Sequence, residues 1–148
     1  TGPDGSDQDY VFPKDWTEVK SVSLASETVQ ISSLQQLQQE VDGRLIVYIL
    51  ESTTAGNDRV CLTGVVNEIK AKLADNVRYL DRFDMKLYKY GYRKNHENEY
   101  QDNQFRFIEK REYVVNDSFP KLVGKNICPE IVSCKYELSL SAIEKYRR

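Results

Sequence analysis

The run Arg44-Leu45-Ile46-Val47-Tyr48-Ile49-Leu50 constrains this chain more than any other feature. It is short, unbroken in apolar character after Arg44, and rich in β-branched residues. That suits a strand covered on both faces better than a helix. Such a strand belongs in the middle of a sheet, so the rest of the chain must supply its neighbours and covering layers.

Neighbours are easy to find. Asp9 to Phe12 reads as a short strand, Pro13-Lys14-Asp15 as a turn, and Trp16 to Val22 as a second strand, together a hairpin. Thr28 to Ile31, Phe105 to Val115 and Val132 to Leu140 read as further strands. Two helices lie between. Residues 62–74 place Leu62, Val65, Val66, Ile69 and Leu73 on one face. A second helix, from Asp75 or Asn76 to Gly91, carries the stripe Val77, Leu80, Phe83, Leu87 and Tyr90. The Gln-rich stretch from Ser32 to Glu40 reads equally as a short helix or a turn. Residues 54–59 and 93–104 read as loops, and residues 141–148 as a final turn or two of helix. This is the order of an α/β or α+β chain with a mixed sheet and flanking helices, and 148 residues suit one domain.

Several function classes are excluded or disfavoured. A net charge of -2 means that any basic surface must be local. No apolar run approaches the roughly 20 residues needed to span a bilayer, and the polar, acidic start does not read as a signal peptide. Cys61, Cys128 and Cys134 are odd in number and match no zinc or redox spacing. Free, buried thiols in a reducing compartment are expected, which places the chain in the cytoplasm. His96 is the only histidine, which removes most Ser-His-Asp and Cys-His chemistry.

The chemistry concentrates in Asp9 and Glu18-Val19-Lys20. Glu18 and Lys20 are two apart on a strand and share a face. Asp9, across the hairpin, falls beside Glu18. Two carboxylates and the Val19 carbonyl form a hard oxygen set suited to Mg²⁺ or Mn²⁺. Lys20 would stand by the attacking water or the developing phosphate charge. Taken alone, Glu-x-Lys on a strand is most often a solvated face with a weak ion pair.

The stretches Gly2-Pro-Asp-Gly, Asp9-Tyr-Val-Phe12, Glu18-Val-Lys20-Ser and Val29-Gln-Ile-Ser-Ser-Leu34-Gln-Gln-Leu37 carry a wider likeness. Gly91-Tyr92, Phe105-Arg-Phe107, Phe119-Pro-Lys-Leu122 and Val132-Ser-Cys-Lys-Tyr-Glu-Leu-Ser139 extend it. In this order they resemble the bacterial PD-(D/E)XK motif proteins along nearly the whole chain. The resemblance implies a restriction-endonuclease-like fold, a mixed central sheet flanked by helices, in a single nuclease-like domain over residues 1–148. It implies Mg²⁺ or Mn²⁺-dependent cleavage of DNA in restriction or phage defence, with other defence proteins and a second copy of the chain as candidate partners. The motif residues fall on Asp9, Glu18 and Lys20, and Gln30 on the following strand is a further candidate. Gln8 stands where the motif has proline. The superfamily core usually opens with a helix supplying another acidic residue. There is no room for one before Asp9, so full metal binding could require a further N-terminal segment.

For nucleic acid, Arg78, Arg82, Lys86, Lys89 and Arg93 recur at helical spacing on the second helix and could grip a phosphate backbone. An ordinary solvated face gives the same pattern. The alternatives to an active endonuclease are a catalytically inactive DNA-binding module on the same fold and a protein-interaction domain.

Overall fold

A computed structural model describes residues 7–148. The backbone forms two compact units, one of residues up to Leu50 together with Ile108–Arg148, the other of Glu51–Phe107. The strands are β1 (Tyr10–Val11), β2 (Trp16–Ser23), β3 (Thr28–Ile31), β4 (Gly43–Ser52), β5 (Arg59–Cys61), β6 (Gln104–Val115) and β7 (Tyr136–Ser139). The helices are α1 (Leu62–Leu73), α2 (Val77–Lys89), α3 (Glu97–Asp102) and α4 (Leu140–Ile143). A mixed five-stranded sheet has the order β1-β2-β4-β6-β5, and β3 and β7 form a separate antiparallel pair.

In the first unit, β1 pairs antiparallel with β2, Tyr10 opposite Thr17 and Val11 opposite Trp16. The turn closes through the Phe12 amide donating to the Asp15 carbonyl at 2.8 Å. β2 runs parallel to β4, with Glu18 opposite Leu45, Lys20 opposite Val47 and Val22 opposite Ile49. β4 is therefore an inner strand, as its apolar run predicts. Its cover is unequal, however: Leu45, Val47 and Ile49 are buried, whereas Arg44, Ile46, Tyr48 and Leu50 are only half-buried. Expectation of a strand fully covered on both faces is corrected to one deep and one shallower face.

The core of this unit joins both sheets. Trp16, Leu45, Val47, Tyr113 and Val115 meet Val29, Ile31 and Leu138, and Leu37, Phe119, Leu140 and Ile143 close it. Thr28–Ile31 thus becomes a strand of the second sheet, paired residue by residue with β7. The Trp16 indole lies against Gly43, where a Cβ would come within 2.1 Å of the ring, and its N–H donates to the Val41 carbonyl at 2.8 Å. Only glycine admits that approach.

In the second unit, α2 shows why its ends were readable. The Asn76 side chain caps the Tyr79 amide at 3.2 Å. At the other end Gly91 takes φ of 90°, the Tyr92 amide reaches the Leu87 carbonyl at 2.9 Å, and the Gly91 amide reaches Tyr88 at 3.1 Å. These are the two bonds of a Schellman close. Two elements lie in or at the edge of the segments expected as loops, 54–59 and 93–104. Arg59–Cys61 is a strand on the start of β6, and α3 forms within residues 93–104. α3 gains what its polar sequence lacks from tertiary contacts: Tyr92 stacks on Tyr100 with ring centroids 4.9 Å apart, and the buried Thr63 hydroxyl donates to the Glu97 carbonyl at 3.3 Å. On α1, Val66 is buried while Leu62 and Val65 are exposed, so the buried stripe is narrower than expected. The cysteines are free, but Cys128 is exposed and Cys61 and Cys134 half-exposed, not buried as expected. Among the described residues, no helix is long and apolar enough to cross a membrane.

Candidate active site

Strand pairing decides where Glu18 points. Paired residues of neighbouring strands share a face, so Glu18 stands in one row with Leu45, and Lys20 in the next with Val47. That is the core side of the sheet. Glu18 is consequently only 2% exposed, although it is charged. Extending the β1–β2 register by one pair sets Asp9 opposite Glu18, and the Asp9 carboxylate accepts the Val19 amide at 2.9 Å. The amide and carbonyl of one strand residue face the same strand edge, so the Val19 carbonyl opens toward Asp9.

The Lys20 ammonium lies 2.7 Å from Glu18 Oε1. Glu18 Oε2 is buried with no hydrogen-bond partner among the described residues. Burial raises the Glu18 carboxyl above its usual range, the nearby charge of Asp9 adds to that, and the Lys20 ammonium works against both. An unsatisfied buried polar atom costs about 1–3 kcal/mol. An orphaned carboxylate oxygen of this kind is one that a bound ion or water would satisfy.

Sequence reading missed a segment that joins the site. A 3₁₀ turn at Leu34–Gln36 is tied to it through Lys20 and anchored by Leu37, which is fully buried in the core. Gln36 Oε1 accepts from the Lys20 ammonium at 3.0 Å and from the Ser32 amide at 2.7 Å. Gln8, in place of the motif proline and 2% exposed, donates to the Gln35 carbonyl and accepts from Gln39 at 3.1 Å. Only the Gln-rich composition hinted at this strap.

Gln30 lies on β3 opposite Glu137 and is exposed, on the side away from buried Val29 and Ile31. Among the described residues no hydrogen bond joins it to Asp9, Glu18 or Lys20. The basic residues of α2 belong to the other unit. Arg93 sits with its guanidinium 4.1 Å from the Tyr88 ring centroid, and Lys89 stands 5.7 Å from that of Tyr90. Asp84 of the same helix pairs with Lys70 of α1 at 2.7 Å. The literal Pro3-Asp4 pair lies outside the described residues.

The donor set suits a small hard cation. Glu18 offers a free carboxylate oxygen, Asp9 a second carboxylate and Val19 a carbonyl edge. Among the described residues no cluster of three or more His, Cys, Asp and Glu side chains forms. Mg²⁺ needs no such cage, since it is held through one or two carboxylates and keeps several waters.

A family model described as "Putative PD-(D/E)XK family member, (DUF4420)" matches residues 1–141. No curated protein and no solved structure matches the chain significantly.

Proposed function

We propose that this chain, which belongs to that PD-(D/E)XK family, is a metal-dependent nuclease that hydrolyses phosphodiester bonds in DNA. The observation that carries this reading is Glu18: a buried carboxylate with one oxygen held by Lys20 and the other left without a partner. Asp9 and Glu18, with the Val19 carbonyl, would hold Mg²⁺ or Mn²⁺. When bound there, such an ion polarises the scissile phosphate and lowers the pKa of the attacking water.

The chain's own residues do the rest. Asp9 is fixed by the Val19 amide, so its carboxylate is oriented before any ligand arrives. Lys20, 17% exposed at its side chain, can donate to an anionic oxygen and so stabilise charge that grows in the transition state. Glu18 is buried from bulk water, which strengthens the electrostatic interactions it makes. Arg78, Arg82, Lys86 and Lys89 on α2, with Arg93 beyond its C-terminal end, are proposed to contact phosphates without reading sequence. A restriction or phage-defence setting, in the cytoplasm and with a paired copy for double-strand cutting, is the proposed context.

One observation favours a second reading. Only two carboxylates meet at the site among the described residues, which also suits a nuclease-fold module that binds DNA without cutting it. Plasmid cleavage in Mg²⁺ or Mn²⁺ separates the two. The nuclease cuts, and Glu18→Ala does not. Metal-independent binding with no cleavage would establish the module instead.

A further inference from the structure

We propose that Gln36 is a positioning residue that holds the Lys20 ammonium in place at the hydrolytic centre. The proposal rests on the nuclease reading for its consequence, but not for its geometry. One atom of Gln36 receives both the Lys20 ammonium, at 3.0 Å, and the Ser32 amide, at 2.7 Å. Both partners are donors only, so that atom must be the amide oxygen. The assignment leaves the two N–H donors of the amide nitrogen uncommitted by these bonds.

Lysine is a flexible point charge with four rotatable bonds and no fixed fork. On β2 it has one anionic partner, Glu18 Oε1 at 2.7 Å. A single partner fixes a distance but not a direction. Gln36 supplies the second point, and it is itself immobilised. The Ser32 amide fixes its oxygen, and Leu37 next to it is buried in the core. Two further ties hold the same segment. Gln38 Oε1 accepts the Gly124 amide at 2.9 Å, and Gln8 bonds both Gln35 and Gln39. Gln35 through its carbonyl, and Gln36, Gln38 and Gln39 through their side chains, are thus committed to tertiary bonds, and Gln36 is the one that meets the lysine. When Glu18 turns to a metal, Gln36 keeps the ammonium from following it or swinging to solvent.

Gln36→Leu removes the acceptor at similar size, and Gln36→Glu keeps an oxygen for both donors. The first readout needs neither metal nor DNA. The intact chain is treated with acetic anhydride, and acylation of Lys20 is followed by peptide mass spectrometry, with the other lysines as internal standards. Lys20 acylation rises several-fold in Gln36→Leu and returns to the parent level or below in Gln36→Glu. The second readout is cleavage of plasmid DNA with Mn²⁺. Turnover falls on the order of 10²-fold in Gln36→Leu with KM little changed, the mark of a misplaced group rather than lost binding, and Gln36→Glu recovers most of it. A chain that labels as stated but cuts no DNA keeps the positioning contact and sinks the nuclease reading alone. Unchanged Lys20 labelling in a folded Gln36→Leu chain overturns the proposal, whatever the cleavage result.

Discussion

Burial drives the Glu18 carboxyl above its ordinary range, and the Lys20 ammonium only partly reverses this. A carboxyl with a raised folded pKa binds its proton more tightly in the fold than in the unfolded chain. Its contribution therefore favours the fold below the unfolded value and is lost as pH rises through the raised one. Above the raised value the ionised group opposes folding. Glu18→Gln removes that buried charge while keeping an oxygen for Lys20, so its thermal midpoint at neutral pH is expected at or above that of the parent. Cleavage should disappear in the same variant. A midpoint several degrees lower would mean that Glu18 is structural. The opposite outcome is expected at Gly43: Gly43→Ala drives a methyl into the Trp16 ring, and overpacking of this kind costs about 1–3 kcal/mol, readable by urea denaturation.

Elements differ in how far their own sequence determines them. α2 is bounded by an asparagine cap and a glycine at positive φ, both local signals, and its limits were legible for that reason. The hairpin that sets Asp9 opposite Glu18 was legible too, because only four residues separate the paired Val11 and Trp16, and that fixes its register. β3 was legible as a strand but not in its sheet, since its partner β7 lies more than a hundred residues away. α3 escaped altogether, and the 3₁₀ strap was legible only as a stretch that reads equally as a short helix or a turn. Their polar sequences carry no periodicity, and their support comes from residues outside them, Tyr92 and Thr63 for α3 and Gln8 and Lys20 for the strap. The Gln36 contact is of this kind, and no spacing rule finds it. Another long-range tie yields a prediction. Glu109 on β6 is held by Arg111 and by Arg147 of the C-terminal segment, and these partners push its carboxyl below the usual range. A lowered folded pKa gives stability that is present above the unfolded value and lost as pH falls through the lowered one. Glu109→Gln should therefore be less stable than the parent at neutral pH, and the gap should close on acidification. Denaturation at both pH values tests this, and a gap that does not change with pH would refute it.

At the scale of the whole molecule, charge and chemistry are distributed unequally. The net charge is -2, the carboxylate site lies in one compact unit, and the basic face of α2 lies in the other. If α2 contacts phosphates, affinity for duplex DNA must fall with salt in proportion to the cations engaged. Reversing Arg78 and Lys89 to Glu together should weaken DNA binding and flatten that salt dependence, as read by fluorescence anisotropy across a salt series. An unchanged slope would remove α2 from the interface while leaving the Glu18 site untouched. The central claim stands on cleavage itself. Plasmid DNA is incubated with the chain in Mg²⁺ or Mn²⁺, beside Glu18→Ala and an EDTA control. The account predicts cutting by the parent with either metal, none in EDTA and none by the variant. Equal cutting by Glu18→Ala, or cutting that survives EDTA, would contradict it.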